Sequence, residues 1–541
     1  MASIAVFLPE IILVFAALTS AILGFVVGRR TQILWAWALV TLLAAMFLTL
    51  DMMGLGVTRL LGLNLYEVPV SGVGGSGDFA SSWKLRVDTF TLFFHIVFMF
   101  VALLAVLASK SFIRPEEPHQ GEYYCLLFLA VVGMMLTAAA TDLFVLYLAF
   151  EISSISTFAL VAFRKKDKQA TEAALKFFVI GAVSSAIILF GISIVYGVAG
   201  SASIAGPGQS LTDLSVLKGD PGVSGLGRVV TSNPRMEAPL IVAIVFLLAG
   251  FGFKVAVVPF HMWAPDVYQG SPTTISTFLA AGSKKVGIVA LLKVFLIGLL
   301  SIQMDWIAAI AVIAIVTQTV GNLFAIPQRN IKRMLAYSSI AQVGYILIAI
   351  PVGAVALQGN QPGPTQDLAR AVAVAALLGA MYHVLTHAIM KGGAFLVVAA
   401  TSSAGVGEEI GDYRGLGKRM PFAAWSMAIF LFSLAGIPTG GGFVSKFLLF
   451  SSAVSAMPFS PWFLALAVSG VLNSAVSLYY YARVVWYMLV LDPPEGAKPA
   501  SVGRPLTAAI ALALVLILLT FVAAFPFIEY LQGAARAFFG F

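Results

Sequence analysis

Charge is what this chain has least of. Asp, Glu, Lys and Arg make up 10% of its 541 residues, against 60% hydrophobic, and the mean hydropathy is +0.98. Soluble domains carry about 25% charged residues, so this composition cannot coat a water-soluble body of such size. Cysteine is almost missing as well. Cys125 stands alone in an apolar run, which excludes an internal disulfide and any cysteine-built zinc, iron–sulfur or redox centre; it is read as a packing residue. Also absent are a phosphate-binding glycine loop with its lysine, a dinucleotide fingerprint after a strand, and paired heme histidines across two helices. The 32 basic residues outnumber the 24 acidic ones by eight. In a membrane protein that excess is a topology signal in cytoplasmic loops, not a nucleic-acid footprint.

What is present is apolar sequence in runs long enough to cross a bilayer, which a helix does in about 20 residues. The runs predict an all-α polytopic membrane protein with about 14 transmembrane helices, near 4–27, 33–53, 89–109, 122–140, 142–163, 172–199, 239–258, 273–300, 306–326, 331–351, 370–402, 421–452, 461–490 and 504–531. The first run does not read as a cleaved signal peptide. It opens acidic at Pro9-Glu10, and its basic pair, Arg29 and Arg30, follows the apolar core.

Basic residues gather on one set of loops: Arg29 and Arg30, Lys110 and Arg114, Arg164 to Lys168, Arg329, Lys332 and Arg333, Arg414, Lys418 and Arg419, Lys498 and Arg504. The other side holds half as many: Arg59, Lys84, Arg86, Lys218, Arg228, Arg235, Arg370 and Arg536. The positive-inside rule makes the richer side cytoplasmic and places both termini outside. Two Gly/Ser/Pro-rich connections, around 54–87 and 200–236, then lie outside and lack the apolar residues of a folded domain.

Eight basic residues fall inside the expected spans: Lys176, Lys254, Lys284, Lys285, Lys293, Lys391, Lys446 and Arg483. A charge at mid-bilayer costs roughly 2.5–3.5 kcal/mol on insertion scales. Lys176, Lys293 and Arg483 stand near span ends, where a long side chain can reach the headgroups. Lys254, Lys446 and the Lys284/Lys285 pair stand deeper and read as functional. Glu151 lies mid-span in Leu146-Tyr147-Leu148-Ala149-Phe150-Glu151-Ile152-Ser153. A buried carboxylate and a lysine can both stay charged only near each other, and separating them alters the proton affinity of both. A proton relay requires such a distance-switched pair. The bland reading is an ion pair that ties two helices together.

Two spans carry helix breakers beside their lysine: Leu248-Ala249-Gly250-Phe251-Gly252-Phe253-Lys254, then Pro259; and Leu434-Ala435-Gly436-Ile437-Pro438-Thr439 through Gly440, Gly441, Gly442 and Phe443 to Lys446. Broken backbone at membrane depth is tolerated only where protein or water satisfies it, and paired broken spans point to inverted repeats. The two lie five spans apart, so the second copy is inverted. The expected organisation is residues 1–121 as helices 1–3, 122–300 as the first inverted five-helix repeat, 306–490 as the second, and 491–541 as helix 14. His383, His387 and Lys391 recur every four residues and so share one helix face. No carboxylate or cysteine follows to complete a zinc site, so a stripe of groups titrating near neutral pH is the better reading. His261, in Pro259-Phe260-His261-Met262-Trp263, is expected at the cytoplasmic surface, in structure or in proton entry. His95 and His119 have no telling context.

The stretch Phe251–Ala281 (FGFKVAVVPFHMWAPDVYQGSPTTISTFLAA) resembles the signature of the antiporter-like subunits of respiratory complex I. Asp266-Val267-Tyr268-Gln269-Gly270 is similar to subunit N more than to subunits L or M. Asn330–Ile340, Asp412-Tyr413-Arg414-Gly415-Leu416, Leu434–Pro438 and the opening Leu8-Pro9-Glu10 agree, so the resemblance covers nearly the whole chain. The His383/His387/Lys391 run looks more like the histidine–lysine helix of subunits L and M.

The resemblance implies a proton-translocating membrane-arm subunit of NADH–quinone oxidoreductase without a redox site of its own. FMN, iron–sulfur clusters and quinone would belong to other subunits. It implies a relay of Glu151, Lys176, Lys254, Lys284 and Lys446, with Lys285, His383, His387, Lys391 and His261 as further candidates and no metal. Partners would be other antiporter-like subunits and small membrane subunits, in a bacterial cell membrane. Two alternatives share the pattern: a subunit of a multi-subunit sodium/proton antiporter, and a non-pumping structural membrane subunit. A standalone carrier for a small organic substrate is a third class, though nothing distinctive marks an organic-substrate pocket.

Overall fold

A bilayer core offers backbone groups no water, so apolar sequence there must close its hydrogen bonds within helices. The computed structural model describes residues 5–28, 31–55, 84–113, 117, 119–201, 214, 225–357 and 364–540. Arg29, Arg30, Arg59, Arg114 and Lys218, and most of the two expected outer connections, lie outside the described residues. Within them the fold is helical, with two isolated β-bridges, Leu85–Ala140 and Asn330–Glu409. The principal helices are α1 Leu8–Val27, α2 Thr31–Leu50, α3 Thr89–Phe112, α4 Gln120–Ala139, α5 Leu143–Val161, α6 Lys168–Ser201, α7 Glu237–Val255, α8 Trp263–Gly270, α9 Thr273–Phe278 and α10 Lys284–Lys293. They continue as α11 Ile307–Ala325, α12 Ile331–Leu347, α13 Pro364–Ser403, α14 Pro421–Ala435, α15 Gly441–Ser455, α16 Phe463–Leu489, α17 Arg504–Val522 and α18 Ala524–Phe539.

Twelve helices among the described residues are long and apolar enough to cross a membrane. The other two expected spans fall on segmented helices. The run 273–300 becomes α9 and α10, joined by a wide π-type turn at Leu279–Ser283 and followed by another at Val294–Gly298. The run 421–452 becomes α14 and α15, each 15 residues and so about 22 Å long, short of a roughly 30 Å hydrocarbon core. Both therefore end at membrane depth.

Helices α3 and α12 are buried almost throughout. By contrast α1 and α17 turn apolar side chains outward, with Phe25 85% and Val522 82% exposed. Close packing rests on glycine. Between α4 and α5, a Cβ on Gly133 would lie 2.5 Å from Ser153 N; between α11 and α12, Gly321 meets Ala341 N and Gly344 meets Gln318 N at the same distance. Small residues give helices this approach in lipid, where no hydrophobic force drives them together. Side-chain caps set the tight entries that follow: Asp142 accepts from Phe144 N at 2.8 Å to start α5, and Asn330 from Lys332 N at 2.9 Å to start α12.

The structure corrects several expectations. The lysine motifs are not in register. Lys254 precedes its break, since α7 ends at Val255 and α8 begins at Trp263, whereas Lys446 follows its break, on the second segment. Gly250 lies mid-helix, while Gly436 closes α14 at φ +92°. The shared Leu-Ala-Gly thus carries two local conformations, because it takes the Gly-rich stretch after Pro438 to end a helix at once. The last span is shorter than its run: α17, Arg504–Val522, is long and apolar enough to cross a membrane, and α18 then packs against α3 and α13. Lys293 and Arg483 do not reach out to headgroups. Lys293 donates to Ala138 O in the last turn of α4 and to Ala140 O just past it, and Arg483 to Ile326 O and Gln328 O past the end of α11. Each cation satisfies the free carbonyls of a helix C-terminus.

Gly321→Ala should force α11 from α12 and destabilise the protein by about 1–3 kcal/mol, read as a lower Tm in detergent. Gly197→Ala, where nothing lies within 4 Å, should leave Tm unchanged or raise it.

Candidate functional site

Six of the lysines expected inside spans are buried: Lys293, against the end of α4, and Lys254, Lys284, Lys285, Lys391 and Lys446, these five each at most 4% exposed. A buried ammonium needs acceptors close by: Lys254, Lys285, Lys391 and Lys446 find acceptors of different kinds, and Lys284 finds none among the described residues.

Lys254, one residue before the end of α7, donates to Ser154 Oγ of α5 at 2.9 Å. The Phe150, Phe158 and Phe177 rings surround its Nζ at 5.4–5.8 Å, an aromatic cage that favours a cation. Glu151 lies one turn before Ser154, half-buried, with Ser185 of α6 at its carboxyl and Lys254 within electrostatic range. Tyr147 and Ser185 share a hydrogen bond of 2.9 Å beneath it. Among the described residues no ion pair within 4 Å joins Glu151 to Lys254. Lys254 is bonded to Ser154 and the Glu151 carboxyl to Ser185, so each charge has its own serine.

Next along the row is Lys284, which opens α10 after the wide turn. Its Nζ has no hydrogen-bond partner among the described residues and faces the Tyr268 ring at 5.2 Å. Lys285 turns back to Ala280 O in the wide turn, 2.7 Å away. One turn beyond Lys284, Gly287 lies against Lys254: a Cβ there would sit 3.3 Å from Lys254 Cβ and 2.6 Å from Val255 Cγ1. Glycine at 287 is what lets α10 lie against Lys254 at the end of α7.

Helix α13 crosses the middle of the molecule. Lys391 donates to Ser338 Oγ at 2.6 Å and Leu335 O at 3.2 Å on α12, and Ser338 is bonded to the Tyr481 hydroxyl. His383 and His387 are stacked, 6.1 Å between centroids. His383 Nδ1 shares a 2.9 Å hydrogen bond with Ser445 Oγ, the residue before Lys446. Electrostatic contacts run along the row: Lys285 to Lys284 and Lys391, His387 to all three, Lys391 to Lys446, and His383 to Lys446.

At the far end Lys446 reaches back across its helix break. It donates to Leu434 O at 2.8 Å and Ala435 O at 3.1 Å, the last carbonyls of α14, and to Ser474 Oγ at 2.8 Å. The Tyr345 ring lies 4.8 Å from its Nζ. The break thus supplies the dipole end that holds the cation.

Two candidates sit elsewhere. Lys176 is exposed and ion-paired to Glu172 at 2.8 Å and Asp266 at 3.0 Å. Asp266 also takes Arg333 at 2.6 Å, so α6, α8 and α12 meet in an ion cluster apart from the Lys254 cage. His261 is 6% exposed within the break between α7 and α8, and Lys284 is in electrostatic range of it. Its ring is buried, although Pro259, Phe260 and Met262 beside it are exposed. Sequence reasoning missed Ser154, Ser474, Gly287 and Tyr345; serines and glycines are too common in apolar helices to stand out. Among the described residues no group of His, Cys, Asp and Glu could hold a metal. Gly287→Ile should push Lys254 from Ser154 and lower any proton translocation by the assembled protein at least tenfold, measured in sealed vesicles.

Residues 140–360 and 368–473 match the family described as NADH:quinone oxidoreductase/Mrp antiporter, TM. The chain is 41% identical to F(420)H(2) dehydrogenase subunit N of Methanosarcina mazei, over 97% of each chain. It is 36% identical to NADH-quinone oxidoreductase subunit N of Moorella thermoacetica, covering 87% of this chain and 92% of that one. Among solved structures, a chain of respiratory complex I from Thermus thermophilus superposes with TM-score 0.70 at 28% identity, over 97% of this chain and all of that one. This multi-pass membrane protein belongs to the NADH:quinone oxidoreductase/Mrp antiporter transmembrane family, as a homologue of subunit N.

Proposed function

We propose that this chain is a membrane-arm subunit of a quinone-reducing respiratory complex and carries protons across the membrane along its row of buried lysines. The observation that supports this most is continuity: from Lys284 to the Lys446 break, each buried cation or imidazole acts electrostatically on the next, and Gly287, one turn beyond Lys284, packs against Lys254. Two unit charges about 8 Å apart at an effective dielectric near 20 repel by roughly 2 kcal/mol, enough to change a proton equilibrium about thirtyfold. Protonating one group therefore expels a proton from its neighbour.

In this reading Glu151 sets the input. When its carboxylate approaches Lys254, the ammonium is held; when it withdraws to Ser185, the proton passes toward Lys284. Lys284 is the better relay residue of the adjacent pair, since its amine is unengaged while Lys285 is bound to Ala280 O. Lys391, His387 and His383 carry the charge across α13. Lys446 loads the outlet, its amine held by two carbonyls and a serine that reorient as the broken helix flexes. Lys176 and His261 act at the entry side, through the Asp266 cluster and the α7–α8 break. The two capped ends, Lys293 on α4 and Arg483 on α11, occupy corresponding places at the close of 122–300 and 306–490, which supports two inverted repeats and fourteen spans.

The basic loops put the cytoplasm on the side of Lys110, Lys418 and the Arg164–Lys168 run, with both termini outside a bacterial cell membrane. FMN, iron–sulfur clusters and quinone belong to partner subunits, whose reduction of quinone would drive the relay, and antiporter-like and small membrane subunits would flank it. The hydride donor is set by those partners; relatives at 36–41% identity include both an NADH and an F(420)H(2) enzyme. A sodium/proton antiporter subunit would share the relay, and the subunit N relatives favour the redox complex.

Lys254→Ala should assemble normally on native gels yet lose at least tenfold of both donor-driven quinone reduction and proton uptake in membrane vesicles. Normal values for both in the assembled variant would leave the chain a scaffold.

A further inference from the structure

Outside the lysine row, one buried titratable pair remains without a role. Glu10, on the first turn of α1, is 4% exposed, and His95 on α3 is 1% exposed. His95 Nδ1 lies 3.4 Å from Glu10 Oε1, and neither carboxyl oxygen has a hydrogen-bond partner among the described residues. The other imidazole nitrogen, Nε2, is 3.1 Å from Met135 O on α4. The pair falls outside the residues that match the family.

The proton count follows from the acceptor. A carbonyl cannot donate, so His95 Nε2 carries the hydrogen in that bond. Nδ1 then either presents its lone pair to a protonated Glu10 or is itself protonated against a carboxylate. Without that proton, a carboxylate would face a lone pair in a buried site, which is costly. One proton is thus shared between Oε1 and Nδ1. At 3.4 Å the bond is open, and a small rotation closes it.

A polar strip leads from this pair to the end of the bundle where α3 begins. The carbonyls at the end of α4 form it: Met135 O takes His95, Ala138 O takes Thr91 Oγ1 and Lys293, and Ala140 O takes Lys293 at 2.8 Å. Thr91 Oγ1 also lies 2.9 Å from Asp88 Oδ1, and Arg86 faces Asp88 at 3.9 Å with 63% of its side chain exposed. Lys293 and Asp88 both act electrostatically on His95. The charged groups around the pair are therefore Lys293, Asp88 and Arg86, all toward that end.

We propose that Glu10 and His95 form a proton-binding dyad that exchanges with the outer side along Thr91, Lys293 and Asp88, as a port separate from the lysine row. In the step, the Oε1–H bond of Glu10 breaks and an Nδ1–H bond forms, giving carboxylate and imidazolium; Nε2–H then turns to Thr91 Oγ1, one turn before it on α3, which takes that proton as its own hydrogen passes to the Asp88 carboxylate, and the reverse transfers refill the dyad from the same side. The assignment of that end as outer rests on the orientation proposed above; the dyad itself does not depend on the lysines pumping.

The test is infrared difference spectroscopy of the assembled complex in vesicles of known orientation, following the carbonyl stretch of a protonated carboxylic acid. The Glu10 band, identified by its loss in Glu10→Gln, should fade as the pH is raised on the side of the termini and stay constant when only the opposite side is changed. Asp88→Asn should slow that response severalfold. If Glu10→Gln fails to assemble, His95→Gln serves instead and should shift the band. A band that responds to neither side, or only to the opposite side, overturns the port. Because the readout needs no turnover, it stands apart from the Lys254→Ala result.

Discussion

Everything in this molecule follows from the difficulty of keeping a cation away from water. A lysine at membrane depth is expelled, neutralised or partnered, and the fold partners several of them. Aromatic faces and a serine hold Lys254, a helix end holds Lys446, and a serine and a carbonyl hold Lys391. None of these partners is a full counter-charge. A carboxylate in contact would trap the proton, whereas neutral dipoles leave each amine able to give it up.

The broken helices are the means of providing such dipoles. Ending a helix inside the membrane leaves carbonyls that need donors, and Leu434 O and Ala435 O find theirs in Lys446. At the α7–α8 break, Phe253 O is taken by Trp263 Nε1 instead, so Lys254 is free to look across to α5. The two breaks therefore differ in what they do for their lysine. One binds it; the other only positions it.

Much of this was legible in the sequence, since polar residues in apolar runs are rare enough to be conspicuous. Lys254, Lys284, Lys391 and Lys446 all proved buried, and the two breaks fell where Pro and Gly clusters lay. What was hidden is the partner across the fold. Ser154 is a hundred residues from Lys254, and nothing in either helix announces the other. The same blindness left His95 without context, because its partner Glu10 lies on another helix. Lys176 stands on an apolar helix but is exposed and packs beside Asp266, a setting its own helix does not announce, and the matching Leu-Ala-Gly runs hid opposite placements of lysine and break. A one-dimensional pattern records which residues are unusual, and the register of one helix against another decides what they meet.

The central claim is that the two lysine clusters form one conducting row through α13. The most direct measurement is proton translocation per quinone reduced in reconstituted vesicles carrying Lys391→Met, with assembly verified on native gels. A continuous row predicts loss of translocation by at least tenfold, since Lys391 is the group that acts on both Lys284 and Lys446. Translocation at the unmodified level would contradict it and leave the Lys254 and Lys446 sites as separate features of the membrane domain.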